Sequence, residues 1–452
     1  MPAELLYVAL LFALFVLTKP LQKFRIPSAI ASFGLGAACG LGHHVVNLFV
    51  DQPYEHGLFH GDPTVDTMGT LGIVSLFLFA GLEIDLDELR AGAKTLGGHL
   101  LLRTILLAGV AFAVHRVLTI PLRPALVVGL AIVTPSTGFI INSIDQLGLK
   151  KDEAYSVKTK AIASEILALG VLFVVLKSET AVGLGLATLA LVAMVAVLPI
   201  VFKGFAKRIL PHAPKSEFTF LVMVAVVCAY FTKMLGVYYL VGAFIVGIAA
   251  QRFREQLPSL SSHTMMHAVE LFASFFIPFY FFKAGLHLEA DSFSVSAFLA
   301  GAVFLAVALP LRVLAILLQR GIEFREFAQK ALRVAVPMMP TLVFTLVLAG
   351  ILRERFADTV PQAVIGGLII YAVVNTVLPG LAIRSLPTIE FEHPTLVPGP
   401  HTTIRSLDPP ADAHPVEASV PMNSAPLSAT SSSATPASTE GATAGPLKSD
   451  PE

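Results

Sequence analysis

A chain of 452 residues that is 55% apolar and only 14% charged cannot coat a soluble fold of its size with a polar surface. Its mean hydropathy of +0.77 points instead to a polytopic membrane protein. Lys+Arg and Asp+Glu balance at 31 each, which argues against a nucleic-acid partner, and two cysteines in apolar segments, Cys39 and Cys228, suit neither a disulfide framework nor a metal site.

Apolar runs of bilayer-spanning length fall near 4–18, 27–50, 67–84, 96–115, 124–147, 159–177, 181–202, 217–234, 236–251, 266–287, 294–318, 331–351 and 361–383. They predict an all-α polytopic protein of about thirteen transmembrane helices. The first run has no basic residues before it and no small-residue cleavage site, so it reads as a retained helix. Basic residues follow the odd-numbered helices: Lys19 and Lys23 after the first, Lys150 and Lys151 after the fifth, Lys203 and Lys207 after the seventh. The positive-inside rule then puts the N-terminus outside and the C-terminus in the cytoplasm of a cell inner (plasma) membrane. Residues 1–385 form the predicted membrane domain. Residues 386–452, rich in Pro, Ser, Thr and Ala beyond 394, predict a disordered cytoplasmic tail.

The chain repeats itself. FLFAGLEID at 77–85 is echoed by FFKAGLHLE at 281–289, a separation of 204 residues, and Thr134-Pro135-Ser136-Thr137 is echoed at nearly the same offset by Met339-Pro340-Thr341. The paired segments lie in helices of opposite direction. The expected architecture is therefore an inverted-topology repeat, about 1–178 and 217–385, with two interrupted crossing helices. Pro135 and Pro340 each remove a backbone donor in mid-membrane, and the carbonyls so freed, with Thr134, Ser136, Thr137 and Thr341 beside them, are expected to offer oxygen ligands to a cation.

Glu165 stands in the apolar stretch TKAIASEILALGVL. An ionised carboxylate at the centre of a membrane helix costs about 2.5–3.5 kcal/mol on insertion scales, so it is kept where it faces a partner, a cavity or an ion path. A carboxylate holds a proton or a dehydrated cation but not both well, and that competition couples two fluxes. Glu165 is thus expected to be the shared proton and cation site, with Ser164 as a hydroxyl ligand. Arg312, deep in the eleventh helix, is expected to be its counter-charge, with Arg103 and Lys283 as further basic candidates. The partners expected are H⁺ and one monovalent cation, Na⁺ or K⁺. No nucleophile–base pair is visible, so neither an enzyme nor a bound cofactor is expected. A non-transporting receptor or scaffold, and a cation pathway uncoupled from protons, are the alternatives.

LFLFAGLEIDLDEL, GAFIVGIAA and FFKAGLHL together resemble signatures of the monovalent cation:proton antiporter-2 family, over roughly residues 5–385. The resemblance implies a thirteen-helix inverted-repeat exchanger, usually a homodimer, with an elevator-like core movement. It also implies that Glu165 is the ion-binding carboxylate of the sixth helix, Ser164 its preceding neighbour, 134–137 the broken fifth helix and Arg312 the basic residue of the eleventh. The family's usual Asp is Glu here, and Ser replaces its Asp, Asn or Gln neighbour. A single charge at this place favours electroneutral one-for-one exchange.

Overall fold

The described residues of each of the thirteen apolar runs are mainly helical in a computed structural model, which describes residues 3–23, 26–47, 57–84, 90, 93–144, 149–252, 263–288, 290–324 and 328–382. In chain order these are α1 (Ala3–Phe12, continued through a π-helical turn Ala13–Leu17 and Thr18–Lys23), α2 (Ser28–Val46), α3 (Pro63–Leu82), α4 (Ala93–Leu118), α5a (Leu122–Val133) and α5b (Thr137–Ser143). Then come α6 (Lys151–Lys177), α7 (Ala181–Gly204), α8 (Glu217–Met234), α9 (Tyr239–Arg252), α10 (His263–Leu286) and α11 (Val295–Phe324). The last are α12a (Ala328–Ala335), α12b (Leu342–Arg355) and α13 (Gln362–Ala382). The described residues include no strand. The tail expected over 386–452 lies outside the described residues.

Among the described residues, ten helices are long and apolar enough to cross a membrane, or eleven if α12a and α12b, bent by 48°, count as one span. That is fewer than the thirteen runs suggest. The helix α9 is apolar but only 14 residues long, and α2 carries four glycines and His43-His44.

The helices pack in two groups, each drawn from both halves of the chain. α3 runs along α10, α10 along α2 and α9 along α3, while α4, α5, α6, α11, α12 and α13 surround the two helix breaks. The repeated Ala-Gly-Leu has a packing cause. A Cβ on Gly81 of α3 would sit 2.5 Å from the Phe244 carbonyl of α9, and one on Gly247 of α9 would sit 2.5 Å from the Leu78 carbonyl. Gly285 of α10 meets α2 the same way, its missing Cβ overlapping the Phe33 carbonyl. Contact of α3 with α9 is thus mirrored by contact of α10 with α2. Gly81→Ala is expected to force these backbones apart at a cost of about 1–3 kcal/mol, seen as a lower thermal unfolding midpoint.

At the start of α3, Asp62 caps the helix by accepting from the Thr64 and Val65 amides, and Tyr7 of α1 donates to it at 2.5 Å. Burial pushes this carboxyl up, but the Tyr7 and amide hydrogen bonds outweigh it and hold it below the usual aspartate range. The cap is therefore intact at neutral pH and is lost only as pH falls through that lowered value.

Candidate functional site

The two breaks meet. Residues 134–136 interrupt α5 and residues 339–341 interrupt α12, and the Ser136 amide donates to the Pro340 carbonyl at 2.8 Å. Further bonds lock the crossing. Thr345 donates to the Ala131 carbonyl at 2.7 Å, and Tyr371 of α13 donates to the Ile132 carbonyl at 2.9 Å. Asn375, one turn on from Tyr371, exchanges hydrogen bonds with the Thr341 amide and hydroxyl.

The arginines complete this pattern rather than pairing with Glu165. Arg312 donates to the carbonyls of Met338 (2.8 Å) and Met339 (2.9 Å) and to the Tyr371 hydroxyl (2.8 Å). Arg103 of α4 donates to the Val133 carbonyl at 3.0 Å. Each half of the repeat thus sends one buried arginine to the carbonyls that its own proline break frees. Two expectations are corrected here. Arg312 is not the counter-charge of Glu165, and the freed carbonyls are not bare, because a guanidinium's fork of donors satisfies several acceptors in a dry interior. Lys283 is corrected as well. It pairs with Asp66 at 3.0 Å, half-buried on the rim of a separate cavity of about 1050 Å³, and does not reach the crossing.

Glu165, 2% exposed, lies on α6 against the first turn of α5b, where Thr137 turns its amide and hydroxyl toward the carboxyl. Neither Oε2 of Glu165 nor Oγ1 of Thr137 completes a hydrogen bond. Glu165 takes part in none of the described ion pairs. Ser164, next in the chain, lines a cavity of about 10 Å³ with Arg103, Thr134 and Pro135, room for about one water. So the structure brings Glu165 to Thr137, Ser164 to Thr134 and Pro135, and Ser136 to Pro340. It leaves Thr341 on Asn375 and Lys283 elsewhere.

Sequence reasoning missed several polar groups. His99, 1% exposed, bonds Ser164 at 3.0 Å and Gln319 of α11 at 2.9 Å. Ser164 also donates to the Lys160 carbonyl at 2.8 Å. Glu153 and Arg333 form a buried two-pronged pair (2.8 and 3.2 Å) that ties α6 to α12a. A helical-spacing signal was available, since His99 precedes Arg103 by four residues and Tyr371 precedes Asn375 by four, each pair on one helix face. Arg333→Met would leave Glu153 charged and unpaired, at a cost of about 3–5 kcal/mol, and adding Glu153→Leu should recover most of the thermal stability lost.

A family model described as sodium/hydrogen exchanger, transmembrane, matches residues 9–386. The chain belongs to the sodium/hydrogen exchanger family. It is therefore a multi-pass membrane transporter rather than an enzyme. The chain is 22% identical over 281 residues to the Bacillus cereus protein named "Probable Na(+)/H(+) antiporter GerT", covering 57% of this chain and 69% of that one. It is 24% identical over 291 residues to "Probable Na(+)/H(+) antiporter 3" of Methanocaldococcus jannaschii, covering 62% and 70%. Among solved structures it resembles the sodium proton antiporter MjNhaP1 of Methanocaldococcus jannaschii at pH 8, with a TM-score of 0.58, 16% identity and 84% and 96% of the two chains covered. An electron-microscopy map of the same antiporter gives 0.62, 17%, 84% and 94%. At these identities the likeness fixes the fold. The match is to the exchanger family as a whole, of which the antiporter-2 branch is a finer division.

Proposed function

We propose that this exchanger carries one monovalent cation against one proton, with the Glu165 carboxylate as the site both compete for. The observation that carries the reading is a buried carboxylate with an unfilled oxygen and no counter-cation in the described ion pairs, beside arginines engaged by backbone carbonyls. A fixed ammonium or guanidinium would neutralise Glu165 permanently. Its lack leaves that charge for a mobile cation or a proton. Thr137, which faces the Glu165 carboxyl, and Ser164, Thr134 and Ser136 around the break are the oxygen ligands of this reading. The names of the two relatives favour Na⁺ over K⁺. The Ala-Gly-Leu signature of α3 favours the antiporter-2 branch, and basic residues after odd helices favour a cytoplasmic C-terminus. A homodimer is part of the same reading.

One carboxylate shared by two ions makes a testable law. Below the pKa of that carboxyl, the cation concentration giving half-maximal exchange should rise about tenfold for each unit of falling pH, while the maximal rate at saturating cation changes little. Initial rates of pH-gradient collapse in proteoliposomes, over a grid of pH and Na⁺ or K⁺, measure this. Half-saturation that does not move with pH would show separate proton and cation sites.

A further inference from the structure

The large cavity holds a feature that cation exchange does not explain. Lys233 and Arg355 line the cavity, and beside them three helix ends of the two packing groups converge on the turn at Gly236, which has φ +68° and joins α8 to α9. Lys177 closes α6, Lys233 closes α8 and Arg355 closes α12b. Basic residues at helix C-termini complement the helix dipole, which accounts for each one singly. It does not account for their meeting. Lys177 Nζ lies 2.5 Å, and an Arg355 guanidinium nitrogen 3.6 Å, from the point where a Cβ on Gly236 would stand. The two charged nitrogens are thus at most about 6 Å apart. Arg355 donates to the Gly236 carbonyl at 3.0 Å, and Lys233 lies over the Tyr239 ring at 4.7 Å. Glu354 is the one acid whose charge acts on Lys233, and none of the three cations has a carboxylate in a described ion pair.

Lys177 and Arg355, like charges held this close with neither in a described ion pair, favour an anion. A route meant only to admit cations is expected to carry the opposite sign. We propose that Lys177, Lys233 and Arg355 around the Gly236 turn form a binding site for an oxyanion of the phosphate class. The Lys177 ammonium and the unused edge of the Arg355 guanidinium can donate to one tetrahedral group, with the Lys233 charge on the same turn adding attraction, and charge-assisted bonds of this kind are the strong ones. The anion has two sources, free inorganic phosphate entering the cavity or the phosphate of an anionic lipid headgroup. Because α6 and α12b belong to one packing group and the α8–α9 turn to the other, an occupied site bridges the two. The proposal concerns binding alone and stands apart from the exchange reading.

The test is thermal unfolding of the full chain, first in neutral detergent with sodium phosphate against sodium chloride at equal ionic strength. A second arm uses nanodiscs of phosphatidylglycerol against phosphatidylcholine. Lys177→Gln and Lys233→Gln, singly and together, remove charge, Lys233→Gln also giving up its contact with Tyr239, and Lys203→Gln on exposed α7 is the control. The expected result is a midpoint rise with phosphate, with phosphatidylglycerol, or with both, that falls at least about twofold in the double variant and is kept in the control. Stabilisation by phosphate identifies the free anion, and by phosphatidylglycerol alone the headgroup. Equal shifts in wild type and double variant, a phosphate effect no larger than chloride's with no lipid effect, or no shift with either probe would overturn the proposal.

Discussion

Replacing Glu165 by Gln is expected to abolish cation-driven proton movement, lowering the initial rate by about 100-fold or more, while the protein still folds and inserts. Glutamine keeps the shape and two hydrogen-bonding atoms but can neither take up a proton nor neutralise a cation. Removing a buried charge also relieves a cost to the fold, so the variant should unfold at a midpoint equal to or above that of wild type. Glu165→Asp keeps the charge but draws it back from Thr137 by one methylene, so it should retain exchange with a weaker cation half-saturation. Those two variants separate chemistry from folding. Loss of activity together with loss of the folded protein in Glu165→Gln would assign the residue to structure instead.

The second large effect is expected at Arg312, and it should fall on the fold. Its guanidinium covers two carbonyls at the α12 break and the Tyr371 hydroxyl, which in turn reaches the Ile132 carbonyl at the α5 break. Charge-assisted hydrogen bonds are worth about 1.5–3 kcal/mol each, and their loss would strand acceptors in a dry interior. Arg312→Met should therefore lower the unfolding midpoint more than any exposed-surface substitution in the chain. Arg312→Lys should recover only part, because one ammonium cannot span three acceptors in different directions. If Arg312→Met unfolds normally, and its effect on exchange disappears when combined with Glu165→Gln, the arginine acts on the carboxylate rather than on the break.

These two residues also show what the sequence made legible. Glu165, the prolines and the glycine motifs were readable because each breaks a local rule. A charge in an apolar run, a missing amide donor and a missing side chain all demand a structural answer wherever the chain goes. The partner of a buried charge is another matter. Arg312 had two kinds of acceptor open to it, a carboxylate and the carbonyls left by Pro340, and only three-dimensional proximity decides between them. The sequence pattern favoured the carboxylate because it is the single acid of the region. His99 and Gln319 escaped because each is an ordinary polar residue of an otherwise apolar helix, and the bond between them spans 220 residues of chain. Lys283 was drawn in by its place beside the repeated Ala-Gly-Leu, whereas in the fold that motif serves helix contact and Lys283 turns to Asp66.

The most direct measurement is proton flux in everted membrane vesicles energised to hold a pH gradient, with Na⁺, K⁺ and Li⁺ added separately to wild type and to Glu165→Gln. Exchange through Glu165 predicts that at least one cation collapses the gradient in wild type and that none does so in the variant. No response to any cation over roughly pH 6–9, a range that brackets the titration of many buried carboxyls, with folded protein in the membrane, would contradict exchange. A response of equal rate in Glu165→Gln would keep the exchange and remove Glu165 from it.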